Sequence, residues 1–190
     1  PQVLKEAFFL ARNGRPGPVL VDIPRDVLQE VVEYEGYPET VNLPGYNPVV
    51  EANQSELRQA ANLINEAERP IILAGRGILV SGAHKELLAL VEKAQIPVIC
   101  TLLGIGGFPG THYLNVSLMG MHGSAYANIA VDECDTLINI GSRFDDRIIG
   151  RVADFAPKAK VIHINIDPSA INQNVQADVP VVGDAKTILA

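Results

Sequence analysis

From residue 54 onward, short apolar runs alternate with stretches of helical period, and that alternation restricts the fold more than any other feature of the chain. The runs are 70–74, 96–101, 136–140, 160–166 and 179–182, each rich in Ile, Val and Leu. Apolar runs of this length separated by helices require a parallel sheet covered on both faces. With right-handed crossovers the expectation is an α/β domain built as a doubly wound parallel sheet, with helices on both faces.

The intervening helices carry their own start signals. Asn53 and Glu56 resemble a capping box ahead of a helix over 57–67, and Ser81 is the expected N-cap of a helix over 83–94. Residues 102–118 read as a long glycine-bearing loop. Gly120-Met121-His122-Gly123 is expected to open a helix of small residues, and a short helix starts at Pro168.

The first part of the chain follows another pattern. Val3, Leu4, Ala7, Phe8, Leu10 and Ala11 fall at helical spacing, Asn13-Gly14 stops that helix, and 17–24 reads as a buried strand. One helix and one strand cannot bury themselves, so residues 1–32 are expected to be the C-terminal tail of a preceding domain within a longer polypeptide. Between 33 and 53, Tyr37-Pro38, Leu43-Pro44-Gly45 and Asn47-Pro48 break every period, which predicts a linker. Residues 54–190 then form the α/β domain.

Composition narrows the function. A formal net charge of −7 supplies no basic footprint for nucleic acid or an anionic membrane surface. No apolar run reaches the length of a membrane span and no signal-peptide pattern opens the chain, so a soluble intracellular protein is expected. Cys100 and Cys134 have no CxxC spacing and read as free thiols in a reducing compartment. The four histidines show no metal-ligand spacing, and no Ser/His/Asp order stands out. The chain therefore offers neither a metal site nor a complete set of catalytic residues.

In a doubly wound sheet ligands bind outside the carboxyl ends of the strands, so the residues after each run are the candidates. Gly75-Arg76-Gly77 is either a tight βα turn or part of a phosphate site, and it lacks the full GxGxxG spacing because position 80 is Val80. Asp167 can accept a sugar or ribityl hydroxyl, cap the helix before Pro168, or do both. Arg143-Phe144-Asp145-Asp146-Arg147 is either a self-neutralised surface turn or a guanidinium pair for phosphate, carboxylate or a flat ring. His122 stands before side chains small enough for a flat, bulky group to pack on, although a lone histidine is usually structural. A phosphate-bearing cofactor lying across the 120–123 and 141–147 loops is the expectation.

Three stretches carry a family resemblance. Gly14-Arg15-Pro16-Gly17-Pro18-Val19 with the following Leu20 to Asp26, then Gly120-Met121-His122-Gly123, then Arg143-Phe144-Asp145-Asp146-Arg147 with Gly150, resemble the catalytic subunits of the acetolactate (acetohydroxyacid) synthase family. The likeness runs in order over nearly the whole chain, whereas GRPGPV alone points only to some thiamine-diphosphate enzyme. It implies the middle one of three domains, a Rossmann-like (DHS-like) nucleotide-binding domain that holds FAD, preceded by the tail of the thiamine-pyrimidine domain. It further implies thiamine diphosphate and Mg²⁺ bound outside these residues, and condensation of two pyruvates, or pyruvate and 2-ketobutyrate, with loss of CO₂ and no net redox role for the flavin.

By the same resemblance the cofactor contacts fall on Arg15, Gly75, Arg76, Gly77, Thr101, Leu102, Gly120, His122, Gly123, Gly141, Ser142, Arg143, Asp145, Arg147, Asn165, Ile166, Asp167 and Asp184. Arg25, Met121, Asp146 and Arg147 would line a substrate channel, with Arg147 facing a 2-oxo-acid carboxylate. Where the family usually has three glycines this chain has Gly75-Arg76-Gly77, and Ser142 replaces a common Ala. The resemblance also implies a homodimer or tetramer with a regulatory subunit, located in the bacterial cytoplasm or a plastid stroma. The family's activating glutamate and its GDG…N metal motif are absent here, so the chain alone is expected to catalyse nothing and to bind FAD weakly or not at all. A related thiamine enzyme, such as pyruvate oxidase or glyoxylate carboligase, is the alternative enzyme reading. A non-catalytic assembly module is the alternative from another class.

Overall fold

A computed structural model describes residues 1–190, which divide into two compact units, Pro1–Pro48 and Val49–Ala190. In the first, helix α1 (Gln2–Arg12) ends at Asn13, whose side-chain amide donates to the Phe9 carbonyl at 2.8 Å. Phe9 meets Tyr46 edge to face, and the Lys5 ammonium donates to the Pro38 and Glu39 carbonyls. A short helix α2 (Arg25–Gln29) follows Pro24. The strand expected over 17–24 does not form: the segment pairs with no neighbour, and Leu20 is 92% exposed. Apolar character makes a strand only where another backbone edge accepts its N–H and C=O groups. Residues 33–53, expected as a linker, are divided between the two units, those up to 48 folding against α1.

The second unit runs α3 (Gln54–Glu66), β1 (Pro70–Ala74), α4 (Arg76–Ser81), α5 (His84–Ala94), β2 (Val98–Cys100), β3 (Asn115–Leu118), α6 (Ala125–Glu133), β4 (Thr136–Ile140), β5 (Lys160–Asn165), β6 (Val179–Val182) and α7 (Ala185–Leu189). The six strands form one parallel sheet in the order β3-β2-β1-β4-β5-β6, so the α/β doubly wound expectation holds. No helix is long and apolar enough to cross a membrane.

Three local expectations are corrected. Ser81 ends α4 and does not cap α5; the left-handed residue that separates the two helices is Gly82. Part of the 102–118 loop is the edge strand β3, whose irregular pairing beside Ser117 hid it from an apolar-run reading. The helix expected at 120–123 begins only at Ala125, because Ser124 is its N-cap, accepting from the Ala127 N–H. The Asn53 cap of α3 holds, with the Ser55 N–H donating to its side chain.

Side-chain alternation along the strands splits the interior into two cores. Ile72, Ala74, Ile138, Ile140, Ile162 and Ile164 face α3, α4, α5 and α7. Ile71, Leu73, Leu137 and Val161 face α6 and the loops after β4 and β5. Burying each large aliphatic side chain contributes about 1.5–3 kcal/mol, which makes the central strands the base on which everything at the sheet's edges stands.

The amino edge of the sheet is pinned by Asp135, whose carboxylate accepts the Glu68 and Arg69 N–H groups at 2.8 and 2.9 Å. Burial raises its pKa, but these two backbone donors, together with the Thr136 side chain and the Arg69 charge, outweigh burial and hold the group below the ordinary carboxylate value. Asp135→Ala is expected to cost about 1–2 kcal/mol in denaturant unfolding at neutral pH. Because the folded pKa is the lower one, the Asp135 contribution is present above the unfolded value and is lost as pH falls through the folded value. A mutant whose deficit does not shrink on acidification would contradict this assignment.

Candidate functional site

All strands being parallel, their carboxyl ends share one edge, and every expected cofactor residue of the second unit lies there. Gly75, Arg76 and Gly77 follow β1; Thr101 and Leu102 follow β2; Gly120, His122 and Gly123 follow β3. Gly141 to Arg147 follow β4, Asn165 closes β5 ahead of Ile166 and Asp167, and Asp184 follows β6. Arg15 and Arg25 lie on the first unit, both exposed, Arg25 opening α2.

The strand order reverses between β1 and β4, where a doubly wound sheet opens a crevice. Here the two loops meet backbone to backbone. A Cβ on Gly77 would stand 2.6 Å from the Gly141 Cα, and one on Gly141 would stand 2.5 Å from the Gly77 Cα. Gly75 N–H donates to the Ile140 carbonyl and Gly77 N–H to the Gly141 carbonyl, at 2.8 and 3.0 Å. These glycines are thus used on each other: the Gly75-x-Gly77 turn closes the top of the sheet, and Arg76 between them projects exposed.

The loop after β4 is held from beneath by polar groups on the buried face. Ser142 is buried, and its hydroxyl donates to Asn139 Oδ1 at 2.6 Å. The Ser142 carbonyl accepts from Asn139 Nδ2 at 3.1 Å and from His163 Nε2 and Asn165 Nδ2 at 2.9 Å each. Asn165 Oδ1 also takes the Asp167 N–H at 3.0 Å, joining the loops after β4 and β5. Phe144, left-handed at φ 57 and 1% exposed, plugs the loop into the core against Phe155 and His163.

With the backbone anchored, the charged residues of this loop point outward. Arg143 pairs with Asp145 at 3.1 Å and Arg147 with Asp146 at 3.5 Å, all four side chains at least 41% exposed. Such pairs contribute at most about 1 kcal/mol. The self-neutralised reading is therefore present in the geometry, and the guanidinium planes remain presented at the rim. Met121 N–H donates to the Arg147 carbonyl at 3.0 Å, and Asn128 clamps Gly120 through both its N–H and C=O. Met121, Asp146 and Arg147 consequently line one groove of about 470 Å³, shared with Asp132, Arg151 and Phe155.

Asp167 and Asp184 both act as caps, the first accepting the Ser169 N–H and the second the Lys186 and Thr187 N–H groups. His122 is exposed in the turn ahead of Ser124. Leu102, Leu103, Ile105 and Met121 are all more than half exposed at this same edge. Exposed apolar side chains and the guanidinium groups of Arg76, Arg143 and Arg147 therefore share the carboxyl edge of the sheet. No three His, Cys, Asp or Glu side chains are grouped to hold a metal ion. Cys100 and Cys134 are buried, which pushes each thiol up to about 11 and leaves it protonated at neutral pH.

What sequence reading passed over is the support under the loop, Asn139 and His163. The signal was there: Asn139 interrupts an apolar strand, and His163 and Asn165 alternate so that both share one face.

Residues 57–190 match the family model for the central domain of thiamine pyrophosphate enzymes. The chain is 51% identical over 191 residues to a probable acetolactate synthase large subunit of Methanocaldococcus jannaschii, covering 100% of this chain and 32% of that protein. It is 48% identical over 190 residues to the acetolactate synthase large subunit of Corynebacterium glutamicum, with 100% and 30% covered. Against the acetolactate synthase isozyme 3 large subunit of Escherichia coli the identity is 41% over 190 residues, with 100% and 33% covered. The chain spans about a third of the length of these curated relatives.

Proposed function

Because the chain belongs to the thiamine pyrophosphate enzyme family, as its central domain, we propose that it is the FAD-binding part of an acetolactate synthase large subunit. The observation that carries this reading is one edge of the sheet where three guanidinium groups stand among exposed Leu and Met side chains. The names borne by relatives matching the whole chain support the choice of enzyme. In this reading Arg143 and Arg76 meet the anionic part of the cofactor, Leu102 meets its flat part, and Met121 lines the substrate channel. FAD itself supplies no net redox chemistry to the reaction. Arg147, which lines the 470 Å³ groove, binds the carboxylate of a 2-oxo acid, and the family resemblance alone assigns Arg25 to the substrate.

In the same reading thiamine diphosphate and Mg²⁺ are held by other parts of the longer enzyme; this chain groups no three His, Cys, Asp or Glu side chains that could hold a metal ion. The whole enzyme condenses two pyruvates, or pyruvate and 2-ketobutyrate, in branched-chain amino-acid biosynthesis. It works in the cytoplasm, or in a plastid stroma in a photosynthetic eukaryote, as a homo-oligomer with a regulatory subunit.

The test uses the full-length parent. Titrated with FAD and followed by flavin fluorescence, Arg143→Ala is expected to weaken binding about tenfold or more, as the loss of a charge-assisted contact does. Lys158→Ala, removing a cation that pairs with Glu133 on the amino-edge side, should leave affinity unchanged. A parent that takes up no flavin at saturating concentration, or that condenses glyoxylate in preference to pyruvate, would overturn the assignment.

A further inference from the structure

Among the buried polar groups of this chain, one set is organised about a single acceptor. The Ser142 carbonyl oxygen has two lone pairs and receives three N–H donors, from Asn139, His163 and Asn165, whose exposures are 0%, 0% and 6%. Because that oxygen can only accept, His163 must carry its proton on Nε2, and its Nδ1 is left buried with no partner. A buried polar atom left unmatched is destabilising, so a histidine is a poor choice here if only the core had to be filled. Phenylalanine or leucine would pack against Phe144 without that cost.

We propose that His163 is a positioning residue: its Nε2–H, with the Asn139 and Asn165 amides, locks the Ser142 carbonyl and so sets the course of the Gly141–Arg147 loop that presents Arg143 to the rim ligand. The clamp reaches further through Asn165, whose Oδ1 holds the Asp167 N–H, so the loops after β4 and β5 are registered by one buried network. Strand pairing assists, because Asn139 lies directly beside His163 in the β4–β5 ladder. The step to the ligand rests on the flavin reading above; the step to the loop does not.

The experiment compares His163→Phe and His163→Gln in the full-length parent. Glutamine can return an amide N–H close to the place of Nε2, whereas phenylalanine keeps the ring and offers no donor. Hydrogen exchange read by mass spectrometry should accelerate about tenfold or more in peptides covering 141–147 of His163→Phe. Peptides covering β1 and β2 should not change, and His163→Gln should stay within about threefold of the parent. The FAD dissociation constant should rise about tenfold in the phenylalanine variant and recover in the glutamine variant.

If His163→Phe only lowers the melting temperature, with loop exchange and FAD affinity unaltered, the proposal is wrong. Loop exchange that accelerates while FAD affinity stays constant also overturns the positioning role. A parent that binds no FAD defeats the flavin reading instead, and the exchange measurement then still decides the clamp. Should both variants fail to fold, Asn165→Leu, read by the same two measurements, takes their place: unchanged loop exchange there would again refute the clamp.

Discussion

Gly141→Ala is expected to lower the stability of the chain by about 2–5 kcal/mol, a large share of the roughly 5–15 kcal/mol that holds a typical domain folded. Two costs combine. Gly141 sits at φ 69, where an L-residue with a Cβ loses roughly 1–2 kcal/mol. The new methyl group would also stand 2.5 Å from the Gly77 Cα, so the loops after β1 and β4 must part, an overpacking cost of about 1–3 kcal/mol. Neither neighbour can swing aside, because both are backbone and both are tied by ladder-end hydrogen bonds. Gly110→Ala is the matched control, since nothing lies within 4 Å of its added Cβ. Denaturant unfolding of the two variants decides it, and a Gly141→Ala protein as stable as its control would show that the two loops are not packed as described.

Asn139→Asp is expected to be tolerated in acid and severely destabilising near neutral pH. The residue is 0% exposed, and its amide nitrogen donates to the Ser142 carbonyl. An aspartate placed there turns that donor into an oxygen facing an oxygen, unless it keeps its proton. Burial and the nearby carbonyl therefore raise its folded pKa above the unfolded value of about 3.9. A group whose folded pKa is raised contributes fully below the unfolded pKa and loses that contribution as pH rises. Stability relative to the parent should then fall by about 1.4 kcal/mol for each pH unit above the unfolded pKa, until the folded carboxyl ionises. Asn139→Leu, which cannot titrate, should show a deficit of about 1–3 kcal/mol that does not change with pH, from the Ser142 hydroxyl it orphans. Parallel pH profiles for the two variants would rule out a buried, donor-dependent site at 139.

The elements that were legible early share one property, a pattern that local chemistry alone interprets. β1, β4 and β6 fall where short, mainly apolar runs placed them, and the Asn53 cap where a side-chain acceptor precedes a helical period. β3 was missed because Asn115-Val116-Ser117-Leu118 is neither continuous nor regularly paired, and an edge strand needs only one neighbour to exist. The 17–24 run erred in the other direction, being apolar enough for a strand yet pairing with nothing in its unit.

At the candidate site the division falls elsewhere. The positions after each strand could be named in advance, because parallel strands must deliver their carboxyl ends to one edge, and a glycine or an arginine there announces itself. Their tasks could not. Gly75-Arg76-Gly77 reads equally as a phosphate turn or a tight corner until Gly141 is seen against it, a neighbour 64 or more residues away in sequence.

By itself, then, the order of residues determined a doubly wound α/β sheet and the single edge to which its strands deliver their carboxyl ends, since both follow from periodicity and chain direction. Only the tertiary structure decided that two glycine loops close on one another and that Asn139, His163 and Asn165 converge on one carbonyl. Contacts of that kind join side chains from separate strands, and their energies depend on distance and burial, which a linear pattern does not contain.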